Sequence, residues 1–193
     1  MNDALDRDGW FLIERALDDA WVARLRRAFE SAPAQSDGTQ HVRLDDRTPE
    51  LGSWRALETH PEILRAATHV LGRPFRVRDL HGRNPLPGFG QQGLHADWMP
   101  RTAATPYFAV TAIVMMDDFT EENGATRVVP GTHRFIEPIE KSLAQPLAVH
   151  PREVIVTGRA GDVLVFNGHL WHSGRRNRSR GPRRAAQLVI VAT

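Results

Sequence analysis

The sequence predicts a mainly β fold, a sandwich or barrel of short strands with helices packed on its outside. Helical periodicity is confined to the first third of the 193-residue chain. After Pro74, short β-rich runs alternate with Gly, Pro and Asn, which is the pattern of an all-β region. No repeat, low-complexity segment or interdomain linker interrupts the chain, so we expect residues 1–193 to form a single domain.

A short strand and a helix are expected near the N-terminus. Residues 10–13, Trp-Phe-Leu-Ile, have the composition of a short buried strand. Asp18 or Asp19 can cap a helix that runs to about Glu30, because apolar residues recur in it at helical spacing. Residues 33–50 are polar and rich in Asp, Ser, Gly and Thr, so they are predicted to form a loop.

A second helix is expected from about Pro61 to Leu71. Thr59 and Glu62 have the spacing of a capping box, in which each side chain bonds to a free backbone N–H of the other residue. Apolar residues share one face of this segment, and Gly72 can end it. The chain therefore enters its β-rich part after two helices.

Six β-rich runs follow the second helix. They are residues 75–80, 107–116, 126–129, 153–156, 162–166 and 184–191. The run 107–116 is the longest and is apolar on both faces. This pattern indicates a strand that is covered on both sides and lies near the centre of its sheet.

The composition fits a globular protein outside the secretory route. Hydrophobic residues make up 41% of the chain, and no apolar run approaches the roughly 20 residues that span a bilayer. The chain has no cysteine, which excludes disulfides, thiolate metal sites and cysteine nucleophiles. The acidic N-terminus does not resemble a secretory signal, so we expect a cytoplasmic protein with no membrane partner.

Arginine dominates the basic residues. Lys141 is the only lysine, and arginine keeps its proton at high pH, so a pI of about 9.9 accompanies a formal charge of only +2. The high pI is therefore weak evidence for a nucleic acid partner. A local cluster, with six arginines between Arg175 and Arg184, is stronger evidence for such a partner.

His95 and Asp97 form a His-x-Asp pair in a non-helical region. Side chains two residues apart point to the same side of a strand but sit about 200° apart in a helix. The pair follows a glycine-rich turn, so its two side chains can converge on one metal ion. His60 and Glu62 have the same spacing but open the second predicted helix, so we discard them as a ligand pair.

A third ligand has to come from elsewhere in the chain. His169 and His172 both lie just after the predicted strand at 162–166. Because they are three residues apart, they face opposite ways in an extended segment, and local physics does not choose between them. Two imidazoles and a carboxylate can hold one face of an octahedral Fe(II) and leave three positions open.

A guanidinium near the last strand could bind a dicarboxylate beside this metal. Arg183 lies at the start of the run 184–191, and a buried guanidinium needs an anion. The distal carboxylate of 2-oxoglutarate would supply one in bidentate geometry. Arg184 is the competitor, since neighbouring residues on a strand point to opposite faces. Together these residues predict an oxygenase that uses Fe(II) and 2-oxoglutarate.

The chain resembles the phytanoyl-CoA dioxygenase family over nearly its whole length. The resemblance runs from Asp8-Gly9-Trp10-Phe11 to the last strand, and its specific stretches occur in the family's order. They are His95-Ala96-Asp97, Asp117-Asp118, the run from Glu122-Asn123-Gly124 to His133, and Gly161-Asp162 through His172-Ser173-Gly174, Asn177, Ser179 and Arg183. The resemblance implies the family's fold, a double-stranded β-helix (a cupin-like jelly roll) with flanking N-terminal helices.

The resemblance also implies roles for individual residues. It selects His172 over His169 as the third metal ligand, because Ser-Gly and Asn-x-Ser elements follow it. It selects Arg183 over Arg184 for the carboxylate. It implies that a small molecule is hydroxylated at an unactivated C–H bond with O2, and that succinate and CO2 are released. Related halogenases carry a small residue in place of the ligand carboxylate, so Asp97 implies hydroxylation.

Two further residues are weaker candidates. Trp98 follows the ligand carboxylate and could line the substrate pocket, while Thr111 on the central strand could hydrogen-bond a carboxylate of the cofactor. Many 2-oxoglutarate enzymes place a serine two residues after the arginine that binds the distal carboxylate. Here Ala185 stands two residues after Arg183, so a second partner for the cofactor is missing. Relatives are often longer, so we expect this site to be open or closed only by residues 33–50.

Two alternative functions remain. An oxygenase acting on nucleic acid would use the arginines from Arg175 to Arg184 to follow phosphates, but an aromatic content of 7% offers no evident platform for base stacking. A non-catalytic β-barrel binding protein would keep the fold and lose the reaction, and the intact set of metal ligands argues against it. The sequence does not identify the substrate or the oligomeric state.

Overall fold

Two antiparallel sheets form the centre of the protein. The computed structural model describes residues 1–98, 102–137 and 139–193. Its strands are β1 Trp10–Ile13, β2 Ala34–Ser36, β3 Thr39–Val42, β4 Phe75–Pro85, β5 Ala109–Met115, β6 Thr126–Val128, β7 Val154–Val156, β8 Val163–Asn167, β9 His172–Gly174 and β10 Ala185–Ala192. The strand order is β1-β8-β5-β10-β4-β3-β2 in the large sheet and β7-β6-β9 in the small one. The predicted mainly β fold is therefore confirmed.

Most of the helices come before β4 and cover one face of the large sheet. They are α1 Asn2–Arg7, α2 Asp19–Ser31, α3 Leu51–Arg55, α4 Pro61–Leu71 and α5 Ile139–Ser142, with 3₁₀ helices at Ala56–Thr59 and Thr132–Arg134. Leu25 of α2 and Ile63 of α4 are buried in one cluster with Val110 and Leu188 of the sheet. Burying each such side chain stabilises the fold by about 1.5–3 kcal/mol. Within the described ranges, no helix is long and apolar enough to cross a membrane.

Alternation along the strands gives the large sheet two different faces. On β5, Val110, Ala112 and Val114 pack against the helices, while Thr111 and Ile113 face the interior between the two sheets. β5 lies between β8 and β10, and all of its residues are buried. The prediction of a central strand covered on both faces is confirmed, and its inner face contributes to the site.

The predicted capping box at the start of α4 is wrong. His60 is the N-cap residue and makes no side-chain cap, and the Thr59 hydroxyl donates to the carbonyl of Ala56 instead. Pro61 occupies the first turn of the helix, and it has no N–H for a cap to satisfy. The predicted bounds of the helix are correct, and Gly72 ends it with a φ of +61°.

The prediction of a loop over residues 33–50 is wrong in its first half, where β2 and β3 form a hairpin. β3 pairs with the end of β4, and Gln40 lies opposite Asn84. The Asn84 amide donates to Gln40 Oε1 at 2.7 Å. Main-chain pairing, rather than burial of alternating apolar side chains, holds these two short strands at the end of the sheet, so their polar residues showed no strand pattern in the sequence. β4 itself continues to Pro85, five residues beyond its predicted end at residue 80.

We expect Asp18→Ala to lower the free energy of unfolding by about 1 kcal/mol. The Asp18 carboxylate accepts a hydrogen bond from the N–H of Trp21 at 2.6 Å, and alanine would leave that N–H without an acceptor. Urea denaturation measures the loss. Asp19→Ala is the matched control, because Asp19 lies in the first turn but is not the N-cap residue. Equal losses for the two variants would contradict the capping role.

Candidate metal centre

The His95 segment lies alongside β9 as an antiparallel neighbour. The N–H of His95 donates to the carbonyl of His172 at 3.0 Å, and the N–H of His172 donates to the carbonyl of His95 at 2.9 Å. The segment is extended, as predicted from its glycine-rich approach, so His95 and Asp97 project to the same side. This pairing also brings two imidazoles together from positions 77 residues apart in the chain, 95 and 172.

Three ligand atoms converge at this point. Asp97 Oδ1 lies 3.9 Å from His95 Nε2 and 3.4 Å from His172 Nε2, and the three atoms lie within 4.8 Å of one another. The imidazole centroids are 4.5 Å apart. Ligand atoms at adjacent positions around one metal ion stand about 3 Å apart when each bond is about 2.1 Å long. The observed separations therefore need only small side-chain adjustments to hold an ion.

Hydrogen bonds to main-chain carbonyls orient both imidazoles. His95 Nδ1 donates to the carbonyl of Gly93 and His172 Nδ1 donates to that of Leu170, each at 2.9 Å. Placing a proton on Nδ1 leaves the lone pair of the neutral ring on Nε2, the atom that faces Asp97. In their neutral form, both histidines therefore have the tautomer that a metal ion requires.

The Asp97 carboxylate is held in its ionised form. Its side chain is only 19% exposed, and Oδ2 accepts a hydrogen bond from the Thr111 hydroxyl at 2.6 Å. Burial alone would raise the pKa of Asp97, but attraction to His172 and hydrogen bonds from His172 and Thr111 outweigh it and hold the pKa well below its ordinary value. Burial also disfavours a charge on His172, yet the carboxylate raises the pKa of that imidazole. Burial and the neighbouring His172 lower the pKa of His95.

The other candidate histidine points elsewhere. His169 Nε2 accepts a hydrogen bond from the N–H of Phe108 at 3.2 Å, and its ring packs against Phe108 and Tyr107. It is not one of the three converging residues, which include His172. His60 and Glu62, the pair that we discarded as metal ligands, lie outside the triad. His60 is the N-cap residue of α4, and its Nε2 lies 3.2 Å from the carbonyl of Ala16.

Arg183 lies in the same cavity as the triad. The residue is 5% exposed, and its guanidinium stacks on Phe119 with the central carbon 4.5 Å from the ring centroid. Within the part of the chain that the structure describes, the side chain makes no salt bridge and its buried Nε has no hydrogen-bond partner. Burial and repulsion by Arg83, partly offset by Asp117, lower the pKa of Arg183 to about 9. The cavity thus holds a buried cation that lacks an anion.

Arg83 is a second guanidinium in this cavity, and the sequence reasoning missed it. Arg83 lies on β4 directly opposite Ala185 of β10, and both residues line the cavity. Its Nε is also buried without a partner among the described residues, and burial lowers its pKa despite the attraction of Asp97. Alternation from Phe75 and Val77 would have assigned Arg83 to the face that packs on the helices, and the register shift in β4 between Val77 and Asp79 turns it into the cavity instead. Gln92, Thr126 and Gln187 complete the polar part of the lining.

Arg184 points away from the cavity and is neutralised outside it. Its guanidinium bonds to both carboxylate oxygens of Asp117, at 2.9 and 2.8 Å, and also to Glu30. The arginines from Arg175 to Arg184 therefore do not form one surface, because Arg183 faces inward and Arg184 is paired.

The two weaker candidates lie next to the triad. Thr111 contacts the ligand carboxylate of Asp97 directly, and its predicted role in cofactor binding stays a prediction. Trp98 stacks on Phe108 with ring centroids 6.1 Å apart and planes at 11°, and the guanidinium of Arg78 lies 6.0 Å from its ring. Trp98 follows Asp97 in the chain but is not among the residues that line the cavity of the triad, and its contact with substrate stays a prediction.

Sequence comparison identifies relatives along most of the chain. A family model described as phytanoyl-CoA dioxygenase matches residues 5–185. The uncharacterized protein Rv1501 of Mycobacterium tuberculosis is 31% identical over 93% of this chain and 70% of its own length. The multifunctional dioxygenase prhA of Penicillium brasilianum is 31% identical over 97% of this chain and 70% of its own length. The chain spans only 37% of the dioxygenase trt7 of Aspergillus terreus, at 30% identity over 55% of this chain.

Solved structures share the fold. HygX from Streptomyces hygroscopicus, crystallised with nickel, 2-oxoglutarate and hygromycin B, has a TM-score of 0.83 at 20% identity, covering 98% of this chain and 85% of that one. The epimerase SnoN, in complex with Fe3+, alpha ketoglutarate and nogalamycin RO, has a TM-score of 0.73 at 24% identity, covering 99% of this chain and 82% of that one. These similarities confirm the predicted jelly-roll fold.

The family match, the dioxygenase relatives and the metal-binding triad together confirm the predicted enzyme class, a dioxygenase dependent on Fe(II) and 2-oxoglutarate. The triad of this chain can hold a metal ion, and HygX and SnoN were crystallised with metal ions and 2-oxoglutarate, in agreement with the predicted cofactors, Fe(II) and 2-oxoglutarate. With its family model matched over residues 5–185, the chain belongs to the phytanoyl-CoA dioxygenase family.

Proposed function

We propose that this protein hydroxylates an unactivated C–H bond of a small molecule. The reaction consumes O2 and 2-oxoglutarate, places one oxygen atom in the new hydroxyl group and the other in succinate, and releases CO2. The observation that carries the proposal is one cavity in which the triad of His95, Asp97 and His172 lies beside the Arg183 guanidinium, which has no salt bridge to any described residue.

The residues present fit Fe(II) as the bound metal. Two nitrogen ligands and one carboxylate oxygen are the donors of the facial arrangement that non-heme Fe(II) oxygenases use. Fe(II) and 2-oxoglutarate, when bound, supply the activation of O2 and the oxidising power for the C–H bond. His95, Asp97 and His172 would hold the ion from the wall of the cavity that they line. An ionised Asp97 occupies the position that a halide would need, which favours hydroxylation over halogenation.

Two guanidiniums suit a dianionic co-substrate. Arg183 would bind the distal carboxylate of 2-oxoglutarate, since bidentate bonds to a carboxylate satisfy its donors and offset the cost of its burial. Arg83 would contribute the second positive charge from the neighbouring strand. The small side chain at Ala185, opposite Arg83, leaves room for that longer side chain, so Arg83 takes the place of the missing serine as a partner for the co-substrate.

A small molecule is the favoured substrate class. HygX was crystallised with hygromycin B and SnoN with nogalamycin RO, which are both small molecules. Nucleic acid is less favoured here, because the arginines between Arg175 and Arg184 are divided between the cavity, salt bridges and solvent.

We also propose one domain over residues 1–193 and a cytoplasmic location. Closure of the site by residues 33–50 stays a prediction.

Succinate release in a screen of amino acids, acyl-CoA esters and secondary metabolites tests the proposal. We expect one class of these compounds to stimulate turnover of 2-oxoglutarate and to gain one oxygen atom by mass spectrometry. Labelled O2 should place label in both product and succinate. Stimulation by single-stranded nucleic acid, with a salt-dependent gel shift, would contradict the small-molecule assignment.

Asp97→Ala should weaken Fe(II) binding by more than about 100-fold and abolish hydroxylation, because it removes one of the three ligands. Anaerobic titration with Fe(II) and an assay for product measure the two effects. Asp46→Ala is the control, since that exposed carboxylate pairs with Arg55 far from the cavity. An unchanged rate in Asp97→Ala would exclude the residue as a ligand.

Arg183→Gln should weaken 2-oxoglutarate binding at least about 30-fold, because the distal carboxylate loses a buried charged partner. Anaerobic titration of the Fe(II) protein with 2-oxoglutarate, followed by the charge-transfer absorption of the chelate, measures the change. Arg184→Gln should bind the co-substrate like the native protein, since its partners are Asp117 and Glu30. If Arg184→Gln weakened 2-oxoglutarate binding more than Arg183→Gln did, the distal carboxylate would have been assigned to the wrong arginine.

Thr111→Val should weaken metal binding about 10-fold, because the Asp97 carboxylate loses the hydrogen bond that orients it. Valine has nearly the same shape as threonine, so the fold should be kept. Thr111→Ser retains a hydroxyl and should restore most of the affinity. If Val and Ser variants bind Fe(II) equally, the hydroxyl has no part in holding the ligand.

A further inference from the structure

Arg127 is a buried arginine on the outer face of the small sheet. It is the middle residue of β6, the central strand, and its neighbours Thr126 and Val128 face the interior. Alternation turns Arg127 to the opposite side, where a surface residue would be expected. It is nevertheless only 2% exposed, because the segment 146–153 covers it.

All five N–H donors of this guanidinium have an acceptor. Nε donates to Ser173 Oγ at 2.6 Å, Nη1 to the carbonyl of Ala148 at 2.7 Å and to Glu153 Oε2 at 2.9 Å. Nη2 donates to the carbonyls of Pro146 at 2.8 Å and Gln92 at 3.4 Å. An arginine carries five donors in a fixed plane, so these bonds fix the relative positions of four separate segments.

Two of these contacts adjoin the metal ligands. Ser173 directly follows His172 on β9, and Gln92 lies three residues before His95. The N–H of Gln92 donates to the carbonyl of Gly174 at 3.0 Å, so the Gln92 segment runs beside β9 on the side away from β6. The Arg127 side chain therefore crosses the outer face of β9 and touches both segments that supply the imidazoles.

The loop contacts support the same segments. The carbonyl of Pro146 accepts from Arg127 and also from the N–H of Leu94, the residue before His95. Glu153 neutralises the guanidinium and is 8% exposed on its side chain. A buried charge without its partner is costly, so Glu153 offsets the cost of burying the Arg127 guanidinium, while the other four hydrogen bonds fix its position.

We propose that Arg127 is a positioning residue for the metal centre, which sets the separation of the His95 segment and β9 through Gln92 and Ser173. The inference rests on the proposed metal site and adds a residue outside the cavity to it. A lysine at this position would keep the positive charge but could not bond both segments at once. The register of two imidazoles is thus fixed from the outer face of the sheet.

Co(II) binding by the apo-protein tests this role, with Co(II) as an oxygen-stable probe for the metal site. Three variants separate its contacts. Arg127→Lys loses the planar guanidinium with its five donors, Ser173→Ala loses the hydrogen bond beside His172, and Glu153→Gln loses only the ion pair. We expect the first two to weaken Co(II) binding about 10- to 100-fold and to change its visible ligand-field spectrum. Glu153→Gln should keep the affinity within about twofold and the native spectrum, even where its melting temperature falls.

The inference is overturned if Arg127→Lys and Ser173→Ala bind Co(II) with native affinity and spectrum. It is also overturned if all three variants lose affinity in proportion to their loss of melting temperature, which would indicate a purely structural role. Should Arg127→Lys fail to fold, Ser173→Ala still decides the outcome. A native protein that binds no Co(II) would instead contradict the proposed function, so the two failures are distinguishable.

Discussion

The antiparallel bridge between the His95 segment and β9 is the constraint on which the site depends. Two main-chain hydrogen bonds join His95 and His172, and each imidazole then donates its Nδ1–H to a carbonyl two residues earlier. Position, ring orientation and tautomer therefore all follow from local backbone geometry. Asp97 reaches the same point because the segment stays extended for two more residues. The main chain thus brings the two nitrogen ligands together, and the Arg127 side chain supports both segments from the outer face of the small sheet.

The cavity carries charges that the protein alone does not balance. Asp97 is held ionised by the imidazole and the Thr111 hydroxyl, while burial lowers the pKa of both Arg83 and Arg183, and repulsion by Arg83 lowers that of Arg183 further. Burying such groups opposes folding unless a partner is supplied. A divalent cation at the triad and a dianion along the arginines would supply the partners. The charges that would bind these ligands are thus the same charges whose burial opposes folding.

Some parts of the fold and the site were predictable because local rules decide them. The pattern of apolar residues predicted α2, α4 and the central strand β5. The same-side geometry of residues i and i+2 in a strand made His95 and Asp97 a possible pair of metal ligands. The third ligand was different, because His169 and His172 have the same local context. Only the family resemblance favoured His172. In the structure, the main-chain bridge fixes residue 172 beside residue 95, whereas the imidazole of His169 accepts a hydrogen bond from the N–H of Phe108.

The residues that were missed depend on pairing that sequence does not display. Arg83 enters the cavity because β4 continues to Pro85, and its last residues are stabilised by the β2–β3 hairpin rather than by an apolar pattern. Arg127 resembled a surface residue on an alternating strand, and its burial depends on a covering loop distant in the sequence. In both cases the deciding contacts are non-local, so composition and period could not reveal them.

The most direct measurement of the central claim is an anaerobic crystal structure with Fe(II) and 2-oxoglutarate. We expect one metal ion about 2.1 Å from His95 Nε2, His172 Nε2 and an Asp97 oxygen, with the distal carboxylate of 2-oxoglutarate bound to Arg183. A metal bound elsewhere, or an imidazole of His172 turned away from Asp97 in the loaded protein, would contradict it.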